Sequence, residues 1–221
     1  MLRDIDINEI SDGKRYTKDD LVCMGCNDCD GCHKCCTGMG DSITLDPYDI
    51  YELTKGLNQS VESLLSNALE LGVVDGIIQP HIKMQGKDNQ CSFLSESGRC
   101  NIHSFRPGFC RLFPLGRIYD DGSFTYFHQI NECPYPNKYK VKIKPWLGIP
   151  NLKEYEQYII DWHFFLKDMQ NFINECNDEN LVKTLNMLIL NTFYLTAYKS
   201  DKDFYIQFYN RLNNIKQKLS I

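Results

Sequence analysis

The chain has 221 residues, 43% of them hydrophobic and 24% charged, with a net charge of -5. That length can bury one sizeable core or two small ones, and the acidic balance argues against a general nucleic-acid binder. The first twelve residues hold four acidic side chains and no apolar run, and no window is long and apolar enough for a membrane span, so a cytoplasmic protein with reduced thiols is expected.

Residues 1–22 are polar and charged and read as a lead-in without a motif of its own. The cysteine run follows. Cys23, Cys26, Cys29, Cys32 and Cys35 recur at three-residue spacing, and Cys36 directly follows the last. Gly25, Gly31, Gly38 and Gly40 mark this run as a loop that turns repeatedly. Asp46-Pro47-Tyr48-Asp49 then starts a helix: Asp46 suits the N-cap, Pro47 the first helical position and Asp49 the first turn. Ile50, Leu53 and Leu57 give that helix its apolar face. A second helix is expected from Ser60 through Leu64, Leu65 and Leu69 to Gly72.

From Val73 to Met84, β-branched residues predict short strands interrupted by Gly76 and Pro80. Cys91 and Cys100 follow, separated by the turn-forming Ser95–Gly98. Leu115–Tyr119 and Ser123–Gln129 read as a hairpin closed by Asp120-Asp121-Gly122. Lys138, Lys140, Lys142 and Lys144 alternate with Tyr139, Val141 and Ile143. A strand would place all four lysines on one face, as a charge-protected edge or as a basic strip for an anionic partner. Residues 145–150 read as a linker. Beyond it, three amphipathic helices are expected. The first carries Leu152, Tyr155, Ile159, Trp162, Leu166, Met169 and Ile173. The second carries Leu181, Leu185, Leu188, Thr192 and Leu195, and the third Phe204, Phe208, Leu212, Ile215 and Leu219. The expected fold is α+β: a Cys-rich metal-binding core over residues 23–150, with C-terminal helices over 151–221 packing on it.

Cys-x-x-Cys lets two thiolates converge on one ion while the intervening residues turn the chain. The odd total of eleven cysteines and the adjacent Cys35–Cys36 pair fit a disulfide framework poorly. Cys176, within the first C-terminal helix, reads as a buried apolar residue. The other ten precede Pro134 and could fill two four-thiolate sites with two left over, or one site with bystanders. In extended backbone, Cys35 and Cys36 would point to opposite sides, which favours two metal positions close together or one packed thiol. Zinc and an iron–sulfur cluster each take four thiolates, and a five-fold repeat exceeds what one zinc needs. His33 and His103 could replace a thiol but suit a supporting role better.

The segment Cys29-x-x-Cys32-x-x-Cys35-Cys36 resembles the signature of the CxxCxxCC, or YkgJ-type, cysteine-cluster proteins, described as zinc- or iron-chelating. The resemblance continues through Ile43-Thr44, Asp49, Cys91-x-Phe93-Leu94, Gly98-x-Cys100-x-Ile102 and Arg106-Pro107-x-x-Cys110-Arg111-x-Phe113-Pro114. It implies a site built from Cys29, Cys32, Cys35, Cys36, Cys91, Cys100, Cys110 and Cys133. Cys23 and Cys26 extend the repeat beyond the family motif as further candidate ligands. The family includes flagellin lysine methylases, so the resemblance also implies an alternative: methyl transfer from S-adenosylmethionine to a protein side chain through the cluster.

Arg106 and Arg111 flank Cys110. Buried thiolate charge needs donors and counter-charges, so they suit hydrogen bonding to thiolates and backbone, or gripping a substrate or S-adenosylmethionine carboxylate. The common phosphate-loop, dinucleotide, nucleophile-elbow and metalloprotease motifs are missing, and so is Cys-x-x-x-Cys-x-x-Cys. Three readings follow: a metalloprotein holding an iron–sulfur cluster or zinc, an enzyme that uses the cluster, and a zinc-stabilised protein-binding module.

Overall fold

The computed structural model describes residues 6–26 and 32–219. Its helices are α1 (Ile7–Ile10), α2 (Pro47–Leu57), α3 (Val61–Asn67), α4 (Gly108–Leu112), α5 (Ile143–Leu147), α6 (Leu152–Glu175), α7 (Glu179–Leu190) and α8 (Phe204–Leu219). Its strands are β1 (Leu21–Gly25), β2 (Leu69–Val74), β3 (Ile77–Ile82), β4 (Met84–Gln85), β5 (Gln90–Cys91), β6 (Leu115–Asp120), β7 (Ser123–His128) and β8 (Tyr139–Lys142). The strands pair antiparallel and two by two, as β1–β8, β2–β3, β4–β5 and β6–β7. The class is α+β, as expected. Among the described residues, no helix is long and apolar enough to cross a membrane.

Local chemistry sets most of these elements. At α2, the Asp46 carboxylate accepts from the Asp49 N–H and the Asp49 carboxylate accepts from the Asp46 N–H, a complete capping box with Pro47 behind it. Asn58 ends the helix at φ 53°. The helix after Ser60 stops at Asn67 rather than Gly72, and Leu69 opens β2 instead. Asp75 and Gly76, at φ 51° and 82°, form a turn of the hand that suits a tight hairpin, and pairing from Leu69↔Ile82 to Val74↔Ile77 outweighs the helical spacing. Pro80 fits inside β3 because its carbonyl turns away from β2, accepting from the Leu45 N–H at 2.9 Å. Its missing N–H therefore lies on the side the hairpin does not use. β6 and β7 form the expected second hairpin, in register from Leu115↔His128 to Asp120↔Ser123.

The lead-in is more structured than its polarity suggests. Ser11 bridges to Gln129, Tyr16 to Tyr126, and β1 pairs with β8. Residues 145–150 are not a linker. They overlap α5, where Ile143 and Leu147 are buried, and Ile149 is buried just beyond it. The Trp146 indole N–H donates to the Phe113 carbonyl at 3.1 Å. Lys144 sits on α5, so β8 carries only Lys140 and Lys142, both exposed, with Lys138 just before it.

The C-terminal helical segment supplies many of the largest buried side chains. α6 buries Leu152, Tyr155, Tyr158, Ile159, Trp162, Phe165 and Met169. On α7 the buried positions are Leu185, Asn186, Ile189 and Leu190, while Leu181 is exposed. The chain continues into a π-helical turn, Asn191–Leu195, whose extra residue changes the phase and turns Phe193 and Tyr194 inward. α8 buries Phe204, Phe208, Leu212 and Ile215 as expected. Edge-to-face pairs lock the layer: Tyr158 and Phe208 at 4.6 Å, Trp162 and Phe193 at 4.9 Å. The same layer reaches α2, where Tyr48 meets Tyr155 at 5.5 Å and the Tyr158 hydroxyl donates to Asp46 at 3.0 Å.

Candidate metal centre

Four stretches of chain deliver the thiols. A short 3-10 turn, Lys34–Cys36, carries the doublet, and β5 ends on Cys91. Cys100 bridges to Leu94 across the expected turn, where Gly98 has φ 75° and donates to the Ser95 carbonyl at 2.9 Å. Cys110 lies inside α4. α4 is fixed at its start by Asp49, whose carboxylate accepts the Gly108 N–H at 2.7 Å. A side chain at Gly108 would collide with the Tyr155 hydroxyl, so only glycine lets α4 sit this close to α6. The capping residue of α2 and the long C-terminal helix thus both position Cys110.

All the described thiols except Cys23 and Cys176 fall into two groups that border one cavity. Cys35, Cys36, Cys91, Cys100 and Cys110 form the first. The Cys36 thiol donates to Cys35 and lowers its pKa, with Arg106 adding a positive charge nearby. The same bond raises Cys36, aided by burial and by Cys110 and Cys91. Burial pushes Cys110 well up, reinforced by the charges of Cys35, Cys91, Asp49 and Cys100. Cys91 and Cys100 are raised by burial too, and partly eased by the backbone N–H groups of Phe93 and Ile102. Cys26, Cys32 and Cys133 form the second group. Cys133 is raised first by burial, and it feels Cys26 and Cys32 among thiols, with Lys138 opposing.

The doublet therefore does not split between the groups. Cys35 and Cys36 lie in a 3-10 turn rather than in extended backbone, so alternation of sides does not apply to them. Cys23 and Cys26 part company. Cys26 is 2% exposed and joins the second group, whereas Cys23 is exposed on β1 with its thiol on the Lys138 carbonyl at 3.4 Å. Cys29 lies outside the described residues. Cys176 sits just past the end of α6, partly exposed rather than buried, because the helix ends at Glu175 and turns its thiol toward the Asp178 carbonyl. Among the described residues, none of the ten cysteines is in a disulfide. Among the described residues, no three Cys, His, Asp or Glu side chains are already arranged to hold an ion. The thiols are gathered, not closed on a centre.

The two arginines differ. Arg111 donates to four backbone carbonyls, those of Arg106, Ser104, Leu147 and Gly148, tying α4 to α5. Arg106 bonds His103 at 2.9 Å, and its Nε is sealed from solvent without a partner among the described residues. A buried donor left open beside clustered thiols fits an anionic centre there. His103 thus supports Arg106, and His33 is exposed. Sequence reasoning missed the remaining wall. Lys34, Phe113, Tyr135 and Trp146 line a cavity together with Arg106 and thiols of both groups. Only Phe113 and Pro114 of the quoted motif, and Pro134 beside Cys133, hinted at it.

A family model, CxxCxxCC, described as "Putative zinc- or iron-chelating domain", matches residues 28–134. Residues 28–134 belong to the CxxCxxCC family. No curated protein and no solved structure matches the chain. The CxxCxxCC match spans both thiol groups except Cys26, together with Asp49, Arg106 and α4. It supports a metal-binding role for this constellation.

Proposed function

We propose that the CxxCxxCC domain holds an iron–sulfur cluster on thiols drawn from Cys35, Cys36, Cys91, Cys100 and Cys110. The observation that carries this reading is the buried, unpartnered Nε of Arg106, which shares a cavity wall with Cys35 and Cys110. Four thiolates satisfy one cubane cluster, and their buried negative charge calls for the guanidinium placed beside them. When bound, the cluster would supply electron-transfer or Lewis-acid chemistry. The chain's own part is to hold the thiols apart until the cluster binds, to supply Arg106, and to fix α4 through Asp49. Cys29, Cys32 and Cys133 remain in the ligand set that the family signature implies. An S-adenosylmethionine-linked methyl transfer would need a grip on a carboxylate. Arg111 is committed to carbonyls, which leaves Arg106 for that purpose.

Anaerobic purification with iron, zinc and acid-labile sulfide analysis tests the reading. A brown protein with iron and sulfide in equal amounts is expected. A colourless protein holding stoichiometric zinc and no sulfide would overturn the iron–sulfur assignment.

A further inference from the structure

The C-terminal half of α2 and the chain around the π-helical turn enclose a cleft of about 370 Å³ that shares no residue with the thiol cavity. Ile50, Tyr51, Val61 and Tyr194 are buried and form its floor, Tyr198 stands on one wall, and Lys55 is exposed on the rim. Two devices shape it. The extra residue of the π-helical turn swings Tyr194 toward the cleft, and such turns recur at functional sites. Arg211 stacks on the Tyr198 ring at 3.6 Å and donates to the carbonyls of Thr192, Thr196 and Ala197, so this wall is fixed before any ligand arrives. Helix α2 separates the cleft from the thiols: Asp49 near its start holds α4, and Lys55 lies about 9 Å further along the axis.

We infer that this cleft binds a small organic carboxylate with an aromatic body, held at its charged end by Lys55. The volume falls in the range of small-molecule sites, and an apolar floor under a polar rim is their usual make-up. The Lys55 ammonium is folded back over the floor rather than extended into solvent. It donates to the Tyr51 hydroxyl at 3.4 Å and lies 5.2 Å from the centre of that ring. Among the described residues, no carboxylate pairs with it. Glu62, the acidic side chain on the rim, is committed elsewhere: it accepts from its own N–H and from the Ser60 hydroxyl, which lower its pKa. Lys55 is the only lysine or arginine among the described lining residues, so the cleft matches a singly charged carboxylate better than a phosphate, which calls for several donors. Tyr51 and Tyr198 meet at 79°, which offers a flat ligand both a ring face and a ring edge.

The experiment titrates the full chain with naphthalene-2-carboxylate and with its neutral isostere naphthalene-2-carboxamide, read by calorimetry and ligand-observed NMR. The carboxylate should saturate with a Kd below about 1 mM, and the carboxamide should bind at least about tenfold more weakly, because it forms no charge-assisted bond with Lys55. Lys55→Met keeps the aliphatic stem and removes the charge. It should bring the carboxylate down to the affinity of the carboxamide and leave the carboxamide unchanged. Ala197→Trp, at an exposed position lining the cleft, fills the space and should abolish binding of both probes. No saturable carboxylate binding up to about 10 mM overturns the inference. So does equal affinity for the two probes, undiminished carboxylate binding by Lys55→Met, or undiminished binding of either probe by Ala197→Trp. None of these outcomes depends on which metal the thiols hold.

Discussion

The segment from Leu152 to Leu219 and the segment from Met84 to Leu112 differ in what fills their interiors. The first packs Tyr155, Tyr158, Trp162, Phe165, Phe193 and Phe208 to 4% exposure or less. The second contributes two-residue strands, short turns and a five-residue helix, with polarizable thiols where large apolar side chains would otherwise sit. Burial of aromatic surface holds helices whether or not a metal is bound. Thiols raised by burial keep their protons until an ion displaces them, so metal binding and the ordering of this segment are linked. One part of the molecule therefore depends on area, and the other on chemistry.

Metal removal should expose the difference most strongly. Hydrogen exchange on the metal-loaded and chelated protein should show about 100-fold or greater loss of protection in residues 84–112. α6 and α8 should change by less than about tenfold. Uniform loss across the chain would mean that the helices too depend on the metal. Cys110→Ala should mimic chelation, whereas Cys176→Ala should change neither metal content nor stability. Metal loss in the Cys176 variant would break the division at its simplest point.

The reverse experiment empties the aromatic layer. Phe208 is fully buried against Tyr158, Trp162 and Phe193, so Phe208→Ala should cost about 3–5 kcal/mol in denaturant unfolding. The folded fraction should still bind its full metal complement. Reduced metal per folded chain would show that the helices position the thiols more tightly than the contact of Tyr155 with Gly108 implies. A polar link comes next in size. Asn186, buried on α7, accepts from the Ile78 N–H at 2.7 Å and donates to the Gly76 carbonyl at 3.1 Å. Asn186→Ala strands both groups and should cost about 1–3 kcal/mol, measured the same way. A cost within error would mean that water replaces the amide.

These contrasts also explain how much could be read before the fold was known. The α2 capping box, the β6–β7 hairpin and the stripes of α6 and α8 follow from local rules, and the fold keeps them. Residues 145–150 misled because Pro145, Gly148 and Pro150 look like a linker, while Ile143, Leu147 and Ile149 are core. The sorting of thiols was not legible either. It depends on β1 pairing with β8 across more than a hundred residues, and on a 3-10 turn at Lys34–Cys36 that spacing alone does not reveal. Composition pointed to metal. It could not say that Cys26 belongs with Cys133 and that Cys23 belongs with neither group.

The smallest effect is a pH slope confined to the helical side. His163 on α6 stacks on Tyr119 at 3.6 Å and 6°, and burial lowers its pKa from 6.5 to about 4, with the charges of Lys167 and Arg117 adding to the effect. The unfolded chain then binds a proton at this ring at higher pH than the folded chain does. Stability should therefore be complete above about pH 6.5 and fall as pH drops toward 4. The ring is only partly buried, so the full shift is discounted to about 1–2 kcal/mol. His163→Phe keeps the stack and removes the proton site. Denaturant midpoints from pH 7 to pH 4.5 should therefore fall less steeply in the variant than in wild type. Parallel slopes would place the acid sensitivity elsewhere, and a metal content that fell with the same midpoint would place it at the thiols.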